Sequence, residues 1–185
     1  MTPDTQTVIQ QTKDWIREIV IGLELCPFAA PVFENDQIDY IVADGNITEQ
    51  HLLLLAGCFA NLDKQEDIET SMLIFSSAYH PFGDYLELVQ LANLLLDDLD
   101  YSGIYQLASF HPDYQFADSE KDDASNFSNR SPYPMLHILR ESSIEKAVER
   151  YKDIEQIPLA NIKRLRQIGF ENMQQKLNHI LQETK

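Results

Sequence analysis

Two segments end an apolar run in small residues, an aromatic ring and a His-Pro pair: residues 76–85 read SSAYHPFGDY and residues 107–114 read LASFHPDY. Imidazole changes charge near neutral pH, so His80 and His111 are the first candidates for general acid and base. A polar stretch, ADSEKDDASNFSNRSP at residues 117–132, follows the second pair and supplies Asp122, Asp123, Asn126, Asn129, Arg130 and Ser131. The Arg130 guanidinium is a planar fork of donors that matches a carboxylate or phosphate, and Asn129 and Ser131 add neutral donors beside it. Asp123 would orient a histidine, or an aspartate would join His80 and His111 around a divalent metal such as zinc, manganese or iron. Cys26, in the stretch CPFA, is a candidate nucleophile. It follows a helix, whose C-terminal dipole disfavours a thiolate, so its activation requires a histidine close by.

Each group also has a plainer reading. A histidine before a turn-forming proline can be a surface residue, and Arg130 can pair with Asp122 or Asp123 and pin its loop. Two adjacent aspartates are most often a solvated face. His137 reads as a hydrogen-bonded core histidine, His51 and His179 as structural or exposed helix residues, and Cys58 as core.

The elements decide whether these groups meet. Apolar residues at helical spacing from Val8 to Leu23 predict a first helix, with Thr2 as cap and Pro27 beyond its end. Strands are predicted at 37–43, 70–77, 104–110 and 135–140, and the second, TSMLIFSS, is apolar enough to be covered on both faces. Helices are predicted from Asn46 or Thr48 to residue 62, over 81–99, over 144–151 with a Ser142 or Ser143 cap, and over 158–181, where Gly169 interrupts the pattern. The last helix should turn Leu159, Ile162, Leu165 and Ile168 inward.

Strands alternating with helices imply an α/β fold. The expectation is a single domain with a mixed, mostly parallel four-stranded sheet, flanking helices and additional C-terminal helices. The fourth strand follows the third without a helix and should run antiparallel to it. Ligands of open α/β sheets sit beyond the carboxyl ends of parallel strands, so this order delivers both histidines to one rim, and the 117–132 loop must return there.

The chain has 185 residues and is 44% apolar, which suits one domain with a real core. With 14 Lys and Arg against 30 Asp and Glu, its formal charge of −16 argues against nucleic-acid and anionic-membrane partners. Two cysteines without metal-site spacing fit a reducing cytoplasm, and the N-terminus lacks a signal-peptide pattern.

The stretches GLELCPFAAP (22–31), SFHPDYQF (109–116) and NRSPYPMLHILRE (129–141) resemble a bacterial domain-of-unknown-function family, the one numbered 1415. The resemblance implies a soluble single-domain protein of about this length. It places Cys26, His111 and the Asn129–Arg130 pair in the family's pattern and brings no activity, cofactor or catalytic residue. The residues themselves point to a cytoplasmic hydrolase or group transferase acting on a small anionic metabolite. His111, His80, Asp123 and Cys26 would be catalytic, and Arg130, Asn129 and Ser131 would bind substrate. No nucleotide-cofactor motif is present. The rival expectation is a non-catalytic protein-interaction module with an acidic surface, docking through Lys163, Arg164 and Arg166 of the last helix.

Overall fold

The computed structural model describes residues 3–150 and 154–182. Its helices are α1 (Thr5–Trp15), continued by a π-helical segment (Ile16–Ile21), α2 (Ala29–Glu34), α3 (Thr48–Leu62), α4 (Phe82–Asp98), α5 (Glu141–Arg150), α6 (Ile157–Ile168) and α7 (Phe170–Gln182). Four strands, β1 (Ile38–Ala43), β2 (Thr70–Phe75), β3 (Tyr105–Phe110) and β4 (Met135–Arg140), form one mixed sheet in the spatial order β1-β2-β4-β3.

The sheet is α/β and mixed as expected, but it is not mostly parallel. β1 and β2 pair parallel, from Ile38 opposite Thr70 to Ala43 opposite Phe75. β4 inserts between β2 and β3 and runs antiparallel to both, with Met72 opposite His137 and Phe110 opposite Met135. Strands β1, β2 and β3 therefore point the same way, yet one pairing alone is parallel. The physical reason is burial. The segment MLHIL is apolar enough to be covered on both faces, and an interior slot provides that cover where an edge would not.

Side chains alternate across the sheet with period two. Leu73 and Phe75 of β2, Leu136 and Ile138 of β4 and Tyr105 of β3 pack under α3 and α4, around Phe59, Tyr85, Leu88 and Leu96. Met72, Ile74 and Met135 face the other layer, built from Val8, Trp15, Ile19, Phe127, Leu165, Met173 and Leu177. β2 is buried along its whole length, as its apolar run demands.

Several boundaries differ from expectation. The predicted first helix changes to π-helical winding at Ile16, and Gly22 closes it where a Cβ would lie 2.5 Å from the Glu18 carbonyl oxygen. Asp4, whose carboxylate accepts the Thr7 N–H at 3.0 Å, caps α1; Thr2 lies outside the described residues. Helix α5 starts directly after β4, and the Ser143 hydroxyl donates to the Glu69 carboxylate instead of capping; Tyr151, its predicted end, is outside the described residues. The last predicted helix is two, α6 and α7, separated by Gly169 at φ 86 and ψ 154, a conformation open to glycine. Leu159, expected inside, is exposed.

His137 is half-buried and hydrogen-bonded, as its place in the strand suggested. Thr70 Oγ1 donates to the Ile138 carbonyl at 2.5 Å, so it accepts the His137 Nε2–H at 2.7 Å, which places a ring proton on Nε2. Burial holds the pKa of His137 down to about 4. The unfolded chain, with an ordinary value of 6.5, binds this proton more readily, so stability should rise with pH from about 4 to 6.5 and level off above. Urea unfolding at pH 5 and pH 7.5 should differ by roughly 2 kcal/mol from this group. In His137→Gln, which keeps a donor to Thr70 and cannot titrate, the slope over that window should fall by about one proton.

Candidate functional site

The carboxyl ends of β1, β2 and β3 and the start of β4 share one rim, as the order of elements required. Both His-Pro motifs are there, and they meet. Tyr79, in a left-handed conformation at φ 58, turns its carbonyl toward His111, whose Nε2–H donates to it at 2.9 Å. Its hydroxyl reaches the other way, 2.8 Å from Nδ1 of buried His51 and 3.3 Å from Thr48 Oγ1. One strained residue thus joins the ends of β1, β2 and β3.

His111 is fully buried, against Phe82 and Tyr85 at ring separations of 5.1 Å. The Asp113 N–H donates to its Nδ1 at 2.9 Å, so both ring nitrogens are engaged with backbone and the neutral tautomer is fixed. Desolvation lowers its pKa and outweighs the hydrogen bond to the Tyr79 carbonyl and the charge of Asp113, which act the other way. His80 is exposed, and among the described residues its side chain makes no hydrogen bond. The rim therefore holds two histidines of opposite kind, one locked and one free.

The polar loop is ordered around two buried side chains. Asn126 donates to the Glu120 carbonyl at 2.8 Å and accepts from the Phe116 N–H at 3.1 Å and the Ser119 hydroxyl at 2.7 Å. Arg130, 3% exposed, donates from Nε to the Tyr114 carbonyl at 3.0 Å and from Nη2 to the Lys121 carbonyl at 2.7 Å. Its guanidinium sits 4.9 Å from the Phe127 ring centroid and 5.3 Å from that of Phe170. Arg130 does pin the loop, but through carbonyls and not through Asp122 or Asp123.

The remaining candidates are also engaged. Asn129 donates to the Ser109 carbonyl at 3.0 Å and accepts from Ser128 at 3.1 Å. Ser131 donates to the Tyr133 carbonyl at 2.6 Å. Asp123 accepts the Ser125 N–H at 2.9 Å and both arms of Arg166, at 3.1 and 2.5 Å, and these bonds hold its carboxyl well below the usual range. Arg164 is tied to the Leu23 carbonyl and to Glu24 at 2.8 Å, so two of the three cations expected on a docking face are bound to the body of the protein. Burial pushes the Cys26 thiol up; the backbone N–H groups of Phe28 and Ala29 oppose that shift, and no imidazole acts on it. Among the described residues no three His, Cys, Asp or Glu are grouped to hold a metal ion.

Tyr79 is the rim residue that sequence reasoning passed over. Its signal was present, since it precedes the first His-Pro as Phe110 precedes the second, but a left-handed tyrosine cannot be read from residue type.

The fold is a four-stranded mixed sheet between two helical layers, with a stitched loop over the rim. The chain belongs to the family described as "Protein of unknown function (DUF1415)", whose model matches residues 7–175. No curated protein and no solved structure matches it. Among the described residues no helix is long and apolar enough to cross a membrane.

His111 and Arg130 are both buried, so substitutions at either should weaken the fold. Arg130→Lys, which keeps the charge but loses the fork, should lower the unfolding free energy by about 2 to 4 kcal/mol in urea titrations. His111→Ala should cost about as much, while His80→Ala should stay within about 0.5 kcal/mol of the parent.

Proposed function

We propose that this protein is a non-catalytic interaction module that receives a basic amphipathic helix on the outer side of α3 and α4. The observation that carries this reading is the residue content of those helices. A helix that is apolar all round is ordinarily buried all round. Helices α3 and α4 bury His51, Leu55, Phe59 and Leu62, and Tyr85, Leu88, Ala92 and Leu96, against the sheet. Their outward sides nevertheless carry Leu53, 73% exposed, and Leu94, 60% exposed, with Leu54, Leu86 and Leu91 also exposed. The two helices pack against each other on one face of the sheet.

Charge selects the occupant. Neither α3 nor α4 contains a Lys or Arg, and from Glu18 to Glu120 the chain has one cation, Lys64. Glu49, Glu87, Asp97 and Asp98 accompany the exposed leucines. A second copy of a chain with formal charge −16 would bring like charge to this face, whereas a helix alternating apolar and basic residues complements it. The same acidity disfavours nucleic acid, and two free cysteines fit a cytoplasmic location.

The catalytic reading, a hydrolase or group transferase acting on a small anionic metabolite, keeps His80 as a free group at the rim. His111, Asp123, Asn129, Arg130 and Ser131 spend their polar atoms within the chain, which is why the interaction reading is the better supported.

A fluorescently labelled Leu/Lys amphipathic peptide should bind with an affinity that falls as salt rises, and a Leu/Glu peptide should not bind. Leu53→Ser with Leu94→Ser should weaken binding about tenfold or more without moving the unfolding midpoint. Equal binding by the double variant, or a dimer in sedimentation that Leu94→Ser dissolves, would refute the proposal.

A further inference from the structure

A cleft of about 260 Å³ opens at the outer edge of β1, away from both the His-Pro rim and the α3–α4 face. Phe33, Ile38 and Tyr40 give it an apolar, partly aromatic lining. Lys13 and Arg17 enter from α1 and the π-helical segment, and Glu34 and Asp36 from the end of α2 and the turn after it. The Lys13 ammonium lies 5.2 Å from the Tyr40 ring centroid, and the Arg17 guanidinium 5.6 Å from that of Phe33.

These opposite charges do not neutralise one another. Among the described residues Arg17 pairs with Asp14 at 2.7 Å, and Lys13, Glu34 and Asp36 form no salt bridge. Tyr40 is half-buried and lines the same cleft, and among the described residues its hydroxyl has no hydrogen-bond partner.

A second feature points to this place. Arg17 belongs to the π-helical segment, where the Gly22 N–H reaches the Arg17 carbonyl at 3.0 Å across five residues. Winding of this kind is rare and concentrates at functional sites. The chain commits Gly22 to it, because any side chain there would collide with the Glu18 carbonyl.

We infer that this cleft binds a small zwitterion with an apolar or planar body, its anionic group toward Lys13 and Arg17 and its cationic group toward Glu34 and Asp36. An isolated anion would gain from the two cations but meet the two carboxylates in a strongly acidic protein. An isolated cation would meet the reverse arrangement. A ligand with both charges complements the unpaired Lys13, Glu34 and Asp36 and adds a second partner to Arg17, and its body lies on Phe33, Ile38 and Tyr40. A free aromatic α-amino acid is the simplest molecule of this class.

Calorimetric titration of the full chain at low salt should give saturable binding of L-phenylalanine or L-tryptophan. Phenylacetate, with the anion alone, and phenethylamine, with the cation alone, should each bind about tenfold more weakly or worse. Arg17→Gln and Asp36→Asn should each weaken amino-acid binding about fivefold or more, with circular dichroism and unfolding midpoint unchanged. Both residues are exposed, and asparagine tolerates the left-handed backbone of position 36, at φ 53. Absence of saturable binding, equal binding of a single-charge analogue, or unaltered affinity in both variants would overturn the assignment.

Discussion

Arg130 takes a guanidinium into the interior with no salt bridge among the described residues, and the loop around it is built to make that tolerable. An unpaired buried charge costs several kcal/mol, a cost lowered here by the carbonyl dipoles of Tyr114 and Lys121 and by the faces of Phe127 and Phe170. The Arg130 carbonyl in turn accepts the Trp15 indole N–H at 3.0 Å, so the same residue ties the loop to the first helix. Phe170 opens α7, which brings the C-terminal helices into the arrangement. Removing the guanidinium would free the loop carbonyls of Tyr114 and Lys121 and the contact with Phe170 of the last helix, while the Trp15 bond, made to backbone, would remain.

The rim beside it is organised on a similar economy. His111 is neutral because backbone engages both of its nitrogens, and its partner carbonyl belongs to Tyr79, which accepts a strained conformation to present it. Tyr85 donates its hydroxyl to the Met135 carbonyl at 2.7 Å and accepts the Phe110 N–H at 3.0 Å, stitching the ends of β4 and β3 under the same loop. Polar side chains in this region serve backbone groups that strands and helices leave unpaired, which is how a long connection stays ordered at the top of a sheet.

Charge is distributed unevenly over this framework. Two of the three cations expected on a C-terminal docking face are spent on the body, Arg164 on Glu24 and Arg166 on Asp123. The middle of the chain, which supplies α3 and α4, is left acidic and apolar outward. The β1 edge is different again, with both signs gathered around aromatic rings and not paired across the cleft. The three regions are chemically distinct because different elements supply them, and the sheet keeps them apart.

Periodicity in the sequence determined the strands and most helices, because period-two and helical patterns are local and each element must bury its own apolar side. The order of elements likewise determined that both His-Pro motifs share a rim. The slot of β4 between β2 and β3 was decided by tertiary burial, since strand order depends on which strand needs cover on both faces. The roles of the polar residues were decided there too. Histidine, arginine and asparagine look the same in a sequence whether they face a substrate or a carbonyl, and what separates the two is the burial of His111 and Arg130 and the backbone groups the fold sets against them. Lys13, Arg17, Phe33 and Tyr40 carry no shared motif and meet only because α1, α2 and β1 pack around one edge.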